Sequence, residues 1–131
     1  MNDSLPAKAK SWLDGKAFVT LGTSEPDGQI QLSAVWAKRE GDDILVSTVA
    51  GRRKHLNLLR DERASILIIG PDDPYEFLEV RGVVSMSSEG GRELIDDLSE
   101  KYRGSRPYVG DELETVRVIL RLTPHKVRFR G

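Results

Sequence analysis

Apolar and polar residues alternate with period two along most of the chain, the spacing of half-buried strands. The clearest run is GQIQLSAVWAKRE (28–40), where Ile30, Leu32, Ala34 and Trp36 share one face and Gln29, Gln31, Ser33 and Val35 the other. KAFVTLGTS (16–24) precedes it, rich in strand formers. Pro26-Asp27-Gly28 lies between them and predicts a turn, because proline presets one φ and glycine accepts the strained one. Glu40-Gly41-Asp42-Asp43 turns the chain again into DILVST (43–48), which completes a three-stranded meander. ASILIIG (64–70) is short enough to be a buried strand. YEFLEVRGVVSMS (75–87) is a long strand interrupted at Gly82, where a bulge or bend is expected. TVRVILRLTPHKVRFR (115–130) closes the chain and is broken at Pro124.

The period changes to helical in three places. Residues 4–14 predict a short helix with Gly15 at its C-cap. Lys54 to Asp61, with Leu56, Leu59 and Ala64 at near-helical spacing, predicts a helix of about two turns. From Ser87 or Ser88 to Arg103, Leu94, Leu98 and Tyr102 fall at i, i+4 and i+8 with Ile95 beside them. Six strands in neighbouring hairpins and three helices predict an α+β, mainly β fold over residues 1–131. The expected architecture is one small antiparallel barrel with helices on its outside.

Composition narrows the chemistry. The 131 residues carry a formal net charge of −1 and include no cysteine and two histidines, which are His55 and His125. Disulfides, thiolate catalysis and cysteine-based zinc sites are thereby excluded. Neither G-x-S-x-G nor S-x-x-K occurs, so an enzyme built on this chain borrows its reactive group from a cofactor. No apolar run is long enough for a transmembrane helix and no signal-peptide core is visible, so a cytoplasmic protein is expected.

One segment departs from this near-neutral background. GRRKHLNLLRDERAS (51–65) holds five arginines and lysines, three of them consecutive at Arg52, Arg53 and Lys54. The bland reading is a solvated charge run. Against it, cations at a helix N-terminus oppose the macrodipole. Gly51 admits close backbone approach, and Ser47 and Thr48 bring hydroxyls. Together these make a candidate phosphate cradle. A long polyanion fits poorly, since residues 89–114 carry eight acidic against four basic side chains and aromatics are sparse. Nucleic acid is therefore not an expected partner. No G-x-G-x-x-G follows a strand, which argues against a Rossmann dinucleotide site.

The ordered set AFVTLGTSEPDGQIQLSAVW, LVSTVAGRRKHLNLLRDERASI, YEFLEVRGVVSM and EKYRGSRPY, followed by a final strand, resembles the flavin and deazaflavin split-barrel family. That family includes the pyridoxamine 5'-phosphate oxidase-like proteins, and the resemblance is nearest to its actinobacterial branch using coenzyme F420. It implies a six-stranded split β-barrel of the FMN-binding type and a homodimer with the cofactor at the subunit interface. It also implies hydride transfer between the deazaflavin and a small organic substrate. By the same resemblance the phosphate ligands map onto Ser47, Thr48, Arg52 and Lys54, with Arg53 between them. The strand lining the ring maps onto Gln31, Ser33, Ala34, Val35 and Trp36, partly through backbone groups. Tyr75, on a strand from the partner subunit, is a candidate to flank the ring. Each has a plainer reading: Ser33 and Val35 as ordinary strand residues, Trp36 as a core or interface anchor, Tyr75 as a strand-start aromatic. An FMN-dependent oxidoreductase on the same barrel and a non-enzymatic flavin- or haem-binding barrel are the alternatives.

Overall fold

The computed structural model describes residues 3–131. In chain order the elements are α1 (Ala7–Asp14), β1 (Phe18–Ser24), β2 (Ile30–Val35), β3 (Ala37–Glu40), β4 (Asp43–Val49), α2 (Arg53–Arg60), β5 (Arg63–Ile69), β6 (Phe77–Ser87), α3 (Gly91–Arg103) and β7 (Arg117–Arg130). All described strand pairs are antiparallel, in the order β2-β1-β5-β6-β7-β4-β3. The outermost strands, β2 and β3, are joined in sequence by Trp36 alone. A single residue cannot span a flat seven-stranded sheet, since neighbouring strands lie about 4.8 Å apart. The sheet therefore curls until its two edges meet at Trp36. The result is a mainly β split barrel with three helices.

The strand count corrects the expected six. Residues 28–40 do not form one strand. The first half pairs with β1, from Val35 opposite Val19 to Ile30 opposite Ser24. The second half pairs with β4, from Ala37 opposite Val46 to Glu40 opposite Asp43. The partner changes at Trp36, so the strand divides there and seven are observed. Pro124 does not break the last strand. Arg81 pairs with Lys126 and Gly82 with Pro124, so His125 is an extra residue in a bulge that absorbs the proline. Gly82 is required at this crossing because a Cβ there would lie 2.1 Å from the Thr123 carbonyl oxygen.

The barrel interior is filled from alternate strand positions: Val19 and Leu21, Ile44 and Val46, Ile66 and Ile68, Leu78 and Val80, Val118, Leu120 and Leu122. Helix α1 adds Ala9, Trp12 and Leu13 to the same core, and Trp12 packs against Phe129 at 5.5 Å. Burying a side chain of this kind contributes roughly 1.5–3 kcal/mol. The intervening Leu45 points the other way and meets Leu94 and Leu98 of α3 in a smaller cluster with Trp36, Tyr102 and Ile119. Helix α2 is tied down by polar bonds. Asn57 donates to Thr23 Oγ1 at 3.1 Å, and Thr23 donates to Gln31 Oε1 at 3.2 Å.

Polar anchors also fix the segment between α3 and β7. Tyr108 N–H donates to Asp96 at 2.8 Å, and Ser99 Oγ donates to the Ser105 carbonyl at 2.8 Å. Asp111 accepts two bonds of 2.7 Å from Arg117, with both side chains buried at 6% and 5% exposure, and a third of 2.8 Å from Arg92. The Arg117 guanidinium holds the Asp111 carboxyl below the usual carboxylate range. A folded pKa below the unfolded one gives stability that is complete above about pH 4 and lost as pH falls through the depressed value.

Gly82→Ala is expected to destabilise the fold by about 1–3 kcal/mol through overpacking at the bulge, read as a lower denaturant midpoint with unchanged slope. Asp111→Asn is expected to cost about 3–5 kcal/mol at pH 7, because Arg117 is left buried without its counter-charge. Denaturant curves recorded against pH should show the gap between the two proteins closing below about pH 4, where wild type loses the same contribution. A gap that persists unchanged in acid would contradict this assignment.

Candidate functional site

Strand β4 delivers the chain to a turn that opens α2. Gly51 has φ +93°, a left-handed conformation open to glycine, and its N–H donates to His55 Nδ1 at 2.9 Å. The Gly51 amide is thus engaged within the loop. Arg52 is the N-cap of α2 in an extended conformation, with no side-chain cap and no acidic residue in the first turn. Three cations therefore stand at the positive end of a helix dipole whose own first turn offers no acidic residue.

The fold sorts these cations. Arg53 turns away and reaches Glu25 at 3.7 Å. Arg52 and Lys54 line a cleft of about 270 Å³, together with Ser47 of β4 and the Ala34-Val35-Trp36 segment where β2 passes into β3. Arg103, Tyr108 and Arg117 complete its polar wall, and Ile95 and Leu98 of α3 form its apolar side. Arg117 is neutralised by Asp111, and its guanidinium also donates to Ser47 Oγ at 3.4 Å. Arg52, Lys54 and Arg103 have no carboxylate partner among the described residues. Burial, and then the neighbouring Arg52 charge, push the Lys54 ammonium below its ordinary pKa. An anion among these groups would relieve both penalties.

The structure thus gathers Ala34, Val35, Trp36, Ser47, Arg52 and Lys54 around one cleft and places the other expected residues elsewhere. Ser47 and Thr48 are adjacent in β4, so their side chains point to opposite faces. Thr48 goes to the barrel interior, 1% exposed. Gln31 is occupied with Thr23. Tyr75 lies in the turn before β6 rather than on the strand. It is 78% exposed, and its N–H donates to the Asp73 carboxylate at 2.9 Å. Ser33 Oγ and Thr48 Oγ1 are buried without a hydrogen-bond partner among the described residues. Lys38 and Arg39, further cations near the strand junction, are paired with Asp97 at 3.4 Å and with Asp14 at 2.9 Å.

Arg103, Tyr108 and Arg117 carried no expected role. Their sequence signal is faint: Arg103 ends a helix, where a cation is ordinary, and Arg117 starts a strand far from the basic cluster. A second recess of about 430 Å³ adjoins the same Ala34–Trp36 segment, walled by Lys16, Ala17, Phe18, Val19, Thr20 and Tyr102. One strand segment therefore borders a cationic cleft and a largely apolar recess. That donor set suits a molecule with a planar ring at one end and a phosphate at the other.

Comparison with solved structures finds an F420 reductase that superposes with a TM-score of 0.82 at 26% identity, over 95% of this chain and 98% of the other. A conserved hypothetical protein from Mycobacterium tuberculosis superposes at 0.79 and 26% identity, over 98% of this chain and 85% of the other. The general stress protein 26 of Bacillus anthracis shares the fold at 0.70 with 15% identity, over 93% and 92% of the two chains. Comparison with curated protein sequences gives no match. The family model described as pyridoxamine 5'-phosphate oxidase matches residues 5–131. That match covers every strand and helix named above, and the chain belongs to the pyridoxamine 5'-phosphate oxidase family.

Proposed function

We propose that this chain is an F420-dependent oxidoreductase acting on a small organic substrate. The observation that carries the reading is the cleft itself: three cations without carboxylate partners, beside the strand segment that also borders an apolar recess. Arg52 and Lys54 would hold the phosphate, helped by the Ser47 hydroxyl, which Arg117 orients. The backbone of Ala34, Val35 and Trp36 would hold the ring system. When bound, the deazaflavin supplies or accepts the hydride. The chain's share is placement and exclusion of water, effects that contribute several kcal/mol to a barrier without an ionisable group at the reacting atoms. The F420 reductase at 26% identity over 95% of the chain supports this cofactor over FMN. FMN has the same ring-to-phosphate plan and is the second reading. A barrel that binds its cofactor without turnover is the third.

A homodimer with the cofactor at the interface belongs to the same proposal. Phe18, Ile30, Leu32 and Leu67 lie on the outer face of β1, β2 and β5, between 39% and 79% exposed. In β2 Ile30, Leu32 and Ala34 face outward while Gln31 and Ser33 face inward with Val35, so the exposed face of the strand is apolar. Ile30 and Leu32 lean over Gly22, where an added Cβ would lie 3.2 and 3.3 Å from them. A second copy covering this face would bring its own turn, and Tyr75, towards the ring.

Titration of the purified protein with F420 and FMN in parallel tests the reading. F420 is expected to bind more tightly, and Arg52→Ala or Lys54→Ala to weaken it about tenfold to a hundredfold, the worth of one charge-assisted phosphate contact. Unchanged affinity in both variants would remove the cradle, and a preference for FMN would move the enzyme to the flavin branch. Reduction of an acceptor by the reduced cofactor separates an enzyme from a binder. Leu32→Asp is expected to give a folded monomer with weakened cofactor binding, measured by sedimentation and the same titration. A dimer that survives this substitution would place the interface elsewhere.

A further inference from the structure

We infer that Asn57 is a positioning residue of the proposed cofactor site, holding the α2 cations in register with strand β2 through the Thr23 hydroxyl. The inference rests on the cleft serving as the cofactor site, and it extends that reading to what fixes the spacing between the site's two halves.

The two halves come from different elements. Arg52 and Lys54 stand at the start of α2, whereas Ala34, Val35 and Trp36 end β2 or follow it. Apolar packing does little to fix one against the other. Of the eight residues of α2 only Asn57 and Leu58 are buried, and Leu56 and Leu59 remain 46% and 64% exposed. One buried leucine holds a helix without direction, so it does not set the helix's register on the barrel. The helix is instead bonded along one face to the β1–β2 hairpin. Arg53, Asn57 and Arg60, at i, i+4 and i+7, reach the Glu25 carboxylate at 3.7 Å, Thr23 Oγ1 at 3.1 Å and the Ser24 carbonyl. The hairpin is itself closed, since the Glu25 N–H donates to the Gln29 carbonyl at 2.8 Å and the Gly28 N–H to the Glu25 carbonyl at 2.9 Å.

Only the middle bond is buried and continues to β2. Arg53 and Arg60 are exposed, where water competes for their donors. Asn57 and Thr23 are each 1% exposed. Thr23 Oγ1 accepts from Asn57 Nδ2 and commits its one proton to Gln31 Oε1 at 3.2 Å. Gln31 is the second residue of β2, and its Nε2 donates to the Leu32 carbonyl at 3.4 Å. The relay therefore runs from α2 to the β2 backbone, just ahead of Ala34. Buried hydrogen bonds are directional and out of competition with water, so this relay supplies the register that Leu58 leaves open. A slip of α2 would move Arg52 and Lys54 against Ala34–Trp36 while the barrel interior stayed intact. A ligand with a ring at one end and a phosphate at the other is sensitive to that spacing.

Titration of purified variants with whichever of F420 and FMN binds wild type more tightly tests the relay. Thr23→Val keeps the side-chain shape and removes the hydroxyl, so both bonds go. Thr23→Ser keeps the hydroxyl and loses a buried methyl. Stability is read in parallel from the denaturant midpoint. Thr23→Val is expected to weaken cofactor binding about tenfold and Thr23→Ser by no more than about twofold. Asn57→Ala, which removes the donor and suits a helix, is expected to match Thr23→Val, and it decides the question should Thr23→Val fail to fold. Thr23→Val combined with Arg52→Ala should lose less affinity than the product of the two single losses, because the relay acts through the cations. The inference is overturned if Asn57→Ala and Thr23→Val bind like wild type, if Thr23→Ser loses as much as Thr23→Val, if affinity follows the denaturant midpoint rather than the hydroxyl, or if the combined losses multiply. A loss in Arg52→Ala with none in Thr23→Val or Asn57→Ala removes the relay and keeps the phosphate cradle. No loss in Arg52→Ala removes the cradle and the relay with it, and failure of wild type to bind either ligand defeats both.

Discussion

Closure of the sheet through Trp36 is the constraint on which the remaining arrangement depends. Strands β2 and β3 are neighbours in sequence and opposite edges of the sheet, so a single residue must bring both edges together. This fixes the curl of the barrel. It also places the Ala34-Val35-Trp36 backbone at a junction where ladder pairing changes hands, next to the end of β4 and the start of α2. The aromatic ring at the junction then serves as an anchor for α3, through Tyr102, and as a seat for Arg103. Fold closure and cleft wall are the same few atoms.

Electrostatics gives the cleft its character by subtraction. The chain is nearly neutral, and many of its cations are cancelled by a carboxylate brought close by the fold: Arg39 by Asp14, Lys38 by Asp97, Arg53 by Glu25, Arg117 by Asp111. What is left on the cleft wall is Arg52 and Lys54, at the positive end of α2, and Arg103, at the C-terminal end of α3. Lys54 shows the cost directly, since burial and the adjacent Arg52 depress its pKa. On the proposed reading an anion in the cleft would offset that cost, and the buried Asp111–Arg117 pair holds the wall in place.

Alternation, strand-former content and the length of apolar runs together located the strand segments, and Gly82 marked the bulge. The division of residues 28–40 was not visible, because alternation continues through Trp36 without a break. Only the change of partner, a non-local event, divides the strand. The proline at 124 looked like a stop, yet the extra residue His125 opposite Gly82 accommodates it. The basic cluster was legible as a cluster, whereas its division into free and paired cations was not. That depends on Glu25, which is distant from the cluster in sequence and takes Arg53 alone, while Arg63 pairs locally with Asp61. Ser47 and Thr48 matched a motif together, but as adjacent strand residues they send their side chains to opposite faces of β4. Arg103 was hidden for the same reason as the strand division: its meaning comes from Trp36, which only the closed barrel brings beneath it.

The central claim is that the cleft holding Arg52 and Lys54 binds the cofactor's phosphate, and the Lys54 ammonium reports on it most directly. Its titration can be followed by the NMR signal of the methylene beside the amine, in the protein alone and with saturating F420. The account predicts a pKa below the ordinary lysine value in the free protein and a clear upward shift on binding, as a negative group offsets burial and Arg52. A Lys54 titration that is the same with and without bound cofactor would contradict it.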